Sequence, residues 1–395
     1  MKRSVILLYV LSIWAVSCNN PPTKKKGAHN INSTASGHKK KSQLDNLFKG
    51  LIRDSSVVGI SYTLQDSNKT LYSGFFGYSN LKSKPLITKN TRFKIASVTK
   101  PIVAALISRL IHSGKLNLNT PLAAFFPEFP NASNITIYQL LSHTSGIPDW
   151  WIGQLPEGTP TDFPMCEKPE EYLAKMKTVS IFEPGTQHAY SNSGFVLLGR
   201  IIEKVTGNNF MKHATTKLFK QAKMSNVSMT KQNNDAIGYS REVQHSESNF
   251  VIAMEVAPPF AAGGLIARPL DLVLFTNHVF NSSNTYIDTT MEMVKESVTT
   301  NGRPIGEAIY IPEGSKMPIP PKYMQVPTYG LGFSLMKHYG TDIIWHSGGI
   351  SGFNCIWIYI PKNEIVFVGV SNTDNGLVSS FESILSILDP SNGQY

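Results

Sequence analysis

The sequence predicts an α/β (α+β) unit in which the first and last segments share one sheet and the middle of the chain is mostly helical. Three observations carry this reading. An alternating apolar pattern opens the folded part as a hairpin, 3.6-residue periodicity dominates the middle, and four strand-like runs close the chain from Tyr329 onward.

Taken in order, Lys2 and Arg3 precede a largely apolar run from Val5 to Val16 and then the residues AVSC, so residues 1–17 read as an export signal. The run is shorter than the about 20 apolar residues that a spanning helix needs. Ala15-Val16-Ser17 fits an ordinary signal peptidase site, whereas AVSC resembles a bacterial lipobox with Ala15 where leucine is usual. The lipobox reading is favoured because it accounts for Cys18, which would then carry the lipid that anchors the protein to a membrane in the bacterial envelope. Residues 18–42, rich in Pro, Gly, Ser and Lys, read as a flexible tether without core residues. One folded unit is expected over 43–390, with a helical lobe at about 98–300.

In VVGISYTLQD (57–66), Ile60, Tyr62 and Leu64 alternate, and TLYSGFFGY (70–78) follows after a short polar turn, which is a hairpin signal. Val103, Leu106, Ile107, Leu110 and Ile111 then fall at helical spacing up to Gly114. Phe195, Leu198, Ile201, Ile202 and Val205 repeat the pattern up to Gly207, and a third helix opens at Pro269 and runs through Phe275. The Pro/Met-rich stretch 301–327 reads as a loop or lid. Strand patterning returns in YGLGFSLMKHY, DIIWHSGG, FNCIWIYIP and EIVFVGVSN. The last two are apolar on both faces, as central strands covered by helices on each side must be. A closing helix from about Gly376 to Leu388 supplies one of those covers.

Composition narrows the function. The formal net charge of +10 is concentrated at one end, because residues 1–50 hold nine Lys/Arg and one acid, Asp45. The remaining 345 residues hold 28 basic and 26 acidic groups, a nearly neutral body with no electrostatic footprint for nucleic acid. Beyond Cys18 only Cys166 and Cys355 remain; they could pair in an exported chain, but their separation does not test the geometry. No CxxC, HExxH or clustered His/Cys pattern suggests a metal, and no cofactor is implied.

Ser-x-x-Lys begins at Ser36, Ser79, Ser97, Ser228 and Ser334, so the motif means little without context. Ser97 alone opens a strongly periodic helix, where residues three apart share a face and Lys100 lies beside the serine hydroxyl. Pro101 suits a first helical turn, and the helix dipole favours an oxyanion at that end. Ser97 as a plain cap with a solvated Lys100 is the bland alternative. Tyr190-Ser191-Asn192 falls in a loop just before the second helix, where loop tips converge on sites; a packed aromatic and a helix cap are its ordinary reading. HSGG (346–349) ends a strand. A lone His346 there is commonly a packed residue, but the glycines mark a close backbone approach.

Together and in this order, these elements resemble the penicillin-recognising serine hydrolases: class C β-lactamases, D-Ala-D-Ala carboxypeptidases, D-aminopeptidases and related esterases. Ser97-x-x-Lys100 matches the nucleophile motif, Tyr190-x-Asn192 the Tyr-x-Asn motif, and His346-Ser347-Gly348 the place of Lys-Thr-Gly. LLSHTSGIPDW (140–150), AAGGLIARPLDLVLF (261–275) and GGISGF (348–353) are phrases typical of the family. The resemblance implies a β-lactamase/transpeptidase-like fold with an antiparallel sheet. It also implies an acyl-enzyme on Ser97, with Lys100 and Tyr190 sharing proton transfer. Asn192, His346, Ser347 and Gly348 would bind substrate, and the N–H groups of Ser97 and Gly349 would form an oxyanion hole.

His346 departs from the family's lysine. It is expected to titrate against a substrate carboxylate, with Arg303 from another loop as a substitute cation. The leading expectation is an envelope serine hydrolase acting on small amides or esters such as D-amino-acid peptides. A weak β-lactamase, a carboxylesterase and a non-catalytic penicillin-binding sensor are the alternatives.

Overall fold

Odd and even residues of the closing strands go to different cores, and this parity organises the molecule. The computed structural model describes residues 28–149, 180–244, 247–253, 259–307 and 328–389, with backbone alone for 28–34, 242–244 and 247–249. The signal segment, Cys18, Cys166 and positions 308–327 of the expected lid lie outside the described residues.

The strands in chain order are β1 (Gly59–Gln65), β2 (Leu71–Gly77), β3 (Phe93–Lys94), β4 (Tyr239–Gln244), β5 (Glu247–Ile252), β6 (Ile266–Ala267), β7 (Thr328–Tyr329), β8 (Ser334–His338), β9 (Thr341–Ile350), β10 (Phe353–Ile360) and β11 (Ile365–Ser371). Among the described residues, seven of them form one sheet in the order β2-β1-β11-β10-β9-β8-β7. Every neighbour pair is antiparallel. The N-terminal hairpin therefore docks on the last strand, with Ile60 opposite Ser371.

The helices that matter here are α1 (Ala28–Arg53), α2 (Thr99–His112), α3 (Ile137–Leu141), α4 (Asn192–Thr206), α5 (Pro269–Val279) and α6 (Phe381–Leu388). Ile356, Ile358, Ile360 and Phe367 pack on one face with Leu44 and Phe48 of α1 and Ile384, Leu385 and Leu388 of α6. Trp357, Val366 and Val368 point the other way, into the larger core with Phe275 of α5, Ile107 of α2 and Phe195 of α4. With period 2, adjacent residues of one strand serve opposite layers, so β10 and β11 must be apolar throughout. Trp357 satisfies its indole N–H on Thr276 Oγ1 at 2.8 Å.

Two features differ from expectation. Residues 28–42 of the expected tether are helical, the first half of α1. Leu44, Leu47, Phe48 and Leu51 repeat at helical spacing and bury one stripe. Within the polar part of the helix, Lys40 is buried and donates to the carbonyls of Ile387 and Leu388 at the end of α6. The helical lobe also contains a β4–β5 hairpin that the polar stretch around 239–252 does not announce.

Candidate active site

Ser97 sits in a 3-10 turn, Ala96–Val98, immediately before α2. Ala96 holds φ +47°, an unusual backbone for alanine, so the turn is strained directly before the serine. The strand β9 runs against this turn. A Cβ on Gly348 would lie 2.3 Å from the Ile95 carbonyl oxygen, whereas one on Gly349 would meet open space. Gly348 is thus the close approach that the sequence suggests, and Gly349 faces a cleft of about 220 Å³ together with Ala96, Ser97, Tyr190, Asn192, Pro259, Gly263 and Ile350.

Lys100, one helical turn on, is fully buried. Its Nζ lies 3.2 Å from Ser97 Oγ, 2.7 Å from Asn192 Oδ1 and 2.8 Å from the Ala262 carbonyl oxygen. Burial lowers its pKa to about 7, against the opposing pull of the Asp149 carboxylate. Asp149 fixes the orientation of Asn192. Its Oδ2 accepts from Asn192 Nδ2 at 2.7 Å and from the Asn192 backbone N–H at 3.1 Å, so the amide oxygen must face the lysine.

Donor and acceptor rules then constrain the lysine. Asn192 Oδ1 and the Ala262 carbonyl only accept, and they take the two shorter contacts. A neutral amine has two N–H groups for these acceptors and one lone pair left for the third direction, toward the Ser97 hydroxyl. Tyr190 lines the same cleft as Ser97. Burial raises the pKa of this phenol, so Tyr190 is a proton donor in its resting form. The Lys100 Nζ lies 4.6 Å from the Tyr190 ring centroid.

The structure places His346 in a packed setting. It is buried and is not among the described residues lining the cleft. Its Nδ1 lies 2.6 Å from the Ser347 carbonyl oxygen, which can only accept, so Nδ1 carries the proton and Nε2 accepts from the Tyr329 hydroxyl at 3.1 Å. Burial, aided by the charge of Lys100, lowers its pKa to about 3. Strand alternation turns His346 and Gly348 inward, while Ser347 is exposed and lies outside the cleft lining. Arg303 is likewise absent from the described lining. Ser97, Lys100, Tyr190 and Asn192 are therefore brought together, with the Gly349 backbone opposite.

Sequence reasoning assigned no role to Asp149, His143, Tyr329 or the Ala262 carbonyl. The first two lie in LLSHTSGIPDW, a phrase noticed for its resemblance only. A backbone carbonyl leaves no signal in a sequence.

Fold and site together define a protein of the serine hydrolase-type β-lactamase and penicillin-binding class. The chain belongs to the Beta-lactamase family, which it matches over residues 44–389. It is 25% identical over 350 residues to Protein flp of Staphylococcus aureus (strain MRSA252), covering 85% of this chain and 64% of that protein. It therefore spans less than two thirds of that relative's length. A penicillin-binding protein of Bacillus subtilis (strain 168) is 26% identical over 347 residues, which are 85% of this chain and 72% of that one.

Among solved structures, D-amino acid amidase from Ochrobactrum anthropi SV3, complexed with L-phenylalanine amide, superposes with a TM-score of 0.72 at 22% identity, over 90% of this chain and 99% of that one. The octameric penicillin-binding protein homologue from Pyrococcus abyssi gives 0.70 at 24% identity, over 89% and 78%. At such identities the likeness is one of fold.

Proposed function

We propose that this protein is an envelope serine hydrolase that forms an acyl-enzyme on Ser97 and cleaves small amides or esters, D-amino-acid amides and peptides first. The observation that carries the reading is the buried Lys100 amine. Two fixed acceptors occupy its N–H groups and direct its lone pair to Ser97 Oγ. In acylation, Oγ attacks the substrate carbonyl as its proton passes to Lys100 Nζ. The developing oxyanion is met by the N–H groups of Ser97 and Gly349; one such donor contributes about 3–4 kcal/mol in other enzymes. Collapse expels the amine or alkoxide, which takes a proton delivered through Tyr190, and water then hydrolyses the acyl-Ser97 ester by the reverse proton path.

A D-amino acid amidase among the fold relatives supports the substrate class. The neutral His346 supports it from another side, because the lysine that holds a β-lactam carboxylate in relatives has no charged counterpart at this place. The test is labelling with a fluorophosphonate, followed by turnover of D-alanyl amides, nitrophenyl esters and nitrocefin. Label is expected on Ser97 alone and lost in Ser97→Ala, with amides or esters turned over faster than nitrocefin. Label on Ser191 or Ser347, or binding without any turnover, would sink the proposal.

A further inference from the structure

We propose that His143 is a positioning residue for Tyr190, an inference that rests on the acyl-transfer reading above. His143 lies just beyond α3 and is 1% exposed. It grips the segment 189–191 at three points. Its carbonyl accepts from the Ala189 N–H at 3.0 Å, its Nδ1 accepts from the Ser191 N–H at 3.0 Å, and its ring packs on the Tyr190 ring at 4.3 Å and 35°. The residues on both sides of Tyr190 and the phenol itself are thus held by one side chain and its own backbone.

This grip has a structural cost that packing alone does not explain. His143 adopts φ +58°, a left-handed conformation rare for residues with a side chain. Because Nδ1 accepts, the neutral tautomer carries its hydrogen on Nε2, and that nitrogen is buried with no hydrogen-bond partner among the described residues. An imidazolium would lose the Ser191 bond, and burial holds the pKa well below its ordinary value, reinforced by His188, Lys100 and His346. The ring contacts of His143 extend to Phe195 at 5.1 Å and Tyr329 at 4.9 Å, which tie the platform to α4 and to the partner of His346.

The test uses the full chain and the second-order rate of fluorophosphonate labelling at Ser97. It compares wild type, His143→Asn and His143→Phe, each with and without Tyr190→Phe, and records thermal unfolding for all six. Asn keeps an acceptor near the Nδ1 position and loses the ring; Phe keeps a ring and loses the acceptor. Each His143 variant is expected to slow labelling tenfold or more when Tyr190 is present and less than twofold when it is Phe. Reversible affinity for a non-reactive substrate analogue should stay within twofold of wild type. Equal slowing in both Tyr190 backgrounds, or a folded variant that labels at the wild-type rate, overturns the role of His143 while the acyl-transfer reading stands. A wild type that does not label at Ser97 overturns both.

Discussion

At the scale of single residues, the pKa of Lys100 sets the pH dependence of the site. Held at about 7, the amine is mostly charged at pH 6 and mostly neutral at pH 8. Acylation should therefore rise with pH through about 7. The same shift has a stability consequence with a definite sign. Between about 7 and the ordinary 10.5, the folded protein binds fewer protons at Lys100 than the unfolded chain, so this residue's destabilising effect is largest below 7 and fades as pH rises. Asp149→Asn removes the charge that opposes the shift, and the midpoint of the labelling rate should move to lower pH. His346→Gln should leave that midpoint in place, since the histidine is already neutral above about 3. Stopped-flow labelling from pH 5 to 9 checks both, and a midpoint unmoved by Asp149→Asn would remove Asp149 from the electrostatic account.

Two adjacent glycines separate backbone approach from chemistry at the level of elements. β9 passes the Ser97 turn so closely that a methyl group on Gly348 would meet the Ile95 carbonyl at 2.3 Å and Ala96 Cβ at 3.1 Å. Both obstacles lie at the strained turn that carries Ser97. Gly348→Ala should cost about 1–3 kcal/mol, as overpacking does, and should slow Ser97 labelling because the turn must shift. Gly349→Ala adds a methyl group into open space and should change stability by no more than about 0.5 kcal/mol. Urea unfolding of the two variants is the comparison; equal costs would contradict the packing described for β9.

For the molecule as a whole, α1 joins the first part of the chain to the last. Leu44 and Phe48 are fully buried under the sheet, Tyr62 Oη donates to Asp45 Oδ1 at 2.6 Å, and Lys40 closes the end of α6. If Cys18 carries the lipid, the chain between it and Ala28 spans at most ~35 Å fully extended, which keeps the start of α1 near the membrane surface. Incorporation of labelled palmitate in the wild type and its loss in Cys18→Ala is the expected result, with the variant released to the soluble fraction. Unchanged membrane partition in that variant would remove the anchor.

The sequence by itself determined the elements whose cause is local. Apolar alternation placed β1, runs apolar on both faces placed β10 and β11, helical spacing placed α2 and α4, and Ser97 with Lys100 was legible because both lie on one helical turn. Tyr190 and Asn192 were legible through the resemblance and their place at the start of α4. Only the tertiary structure decided the rest, because each remaining feature depends on what stands opposite. Burial and Tyr329 make His346 a neutral packed residue, although its position in HSGG suggests a cation for substrate. Carbonyls at the far end of the chain hold Lys40, in a helix where composition reads as a tether. Asp149 and Ala262 determine which way the lysine's lone pair points. Charge state and hydrogen-bond direction are properties of a surrounding, and a surrounding exists only once the chain has folded.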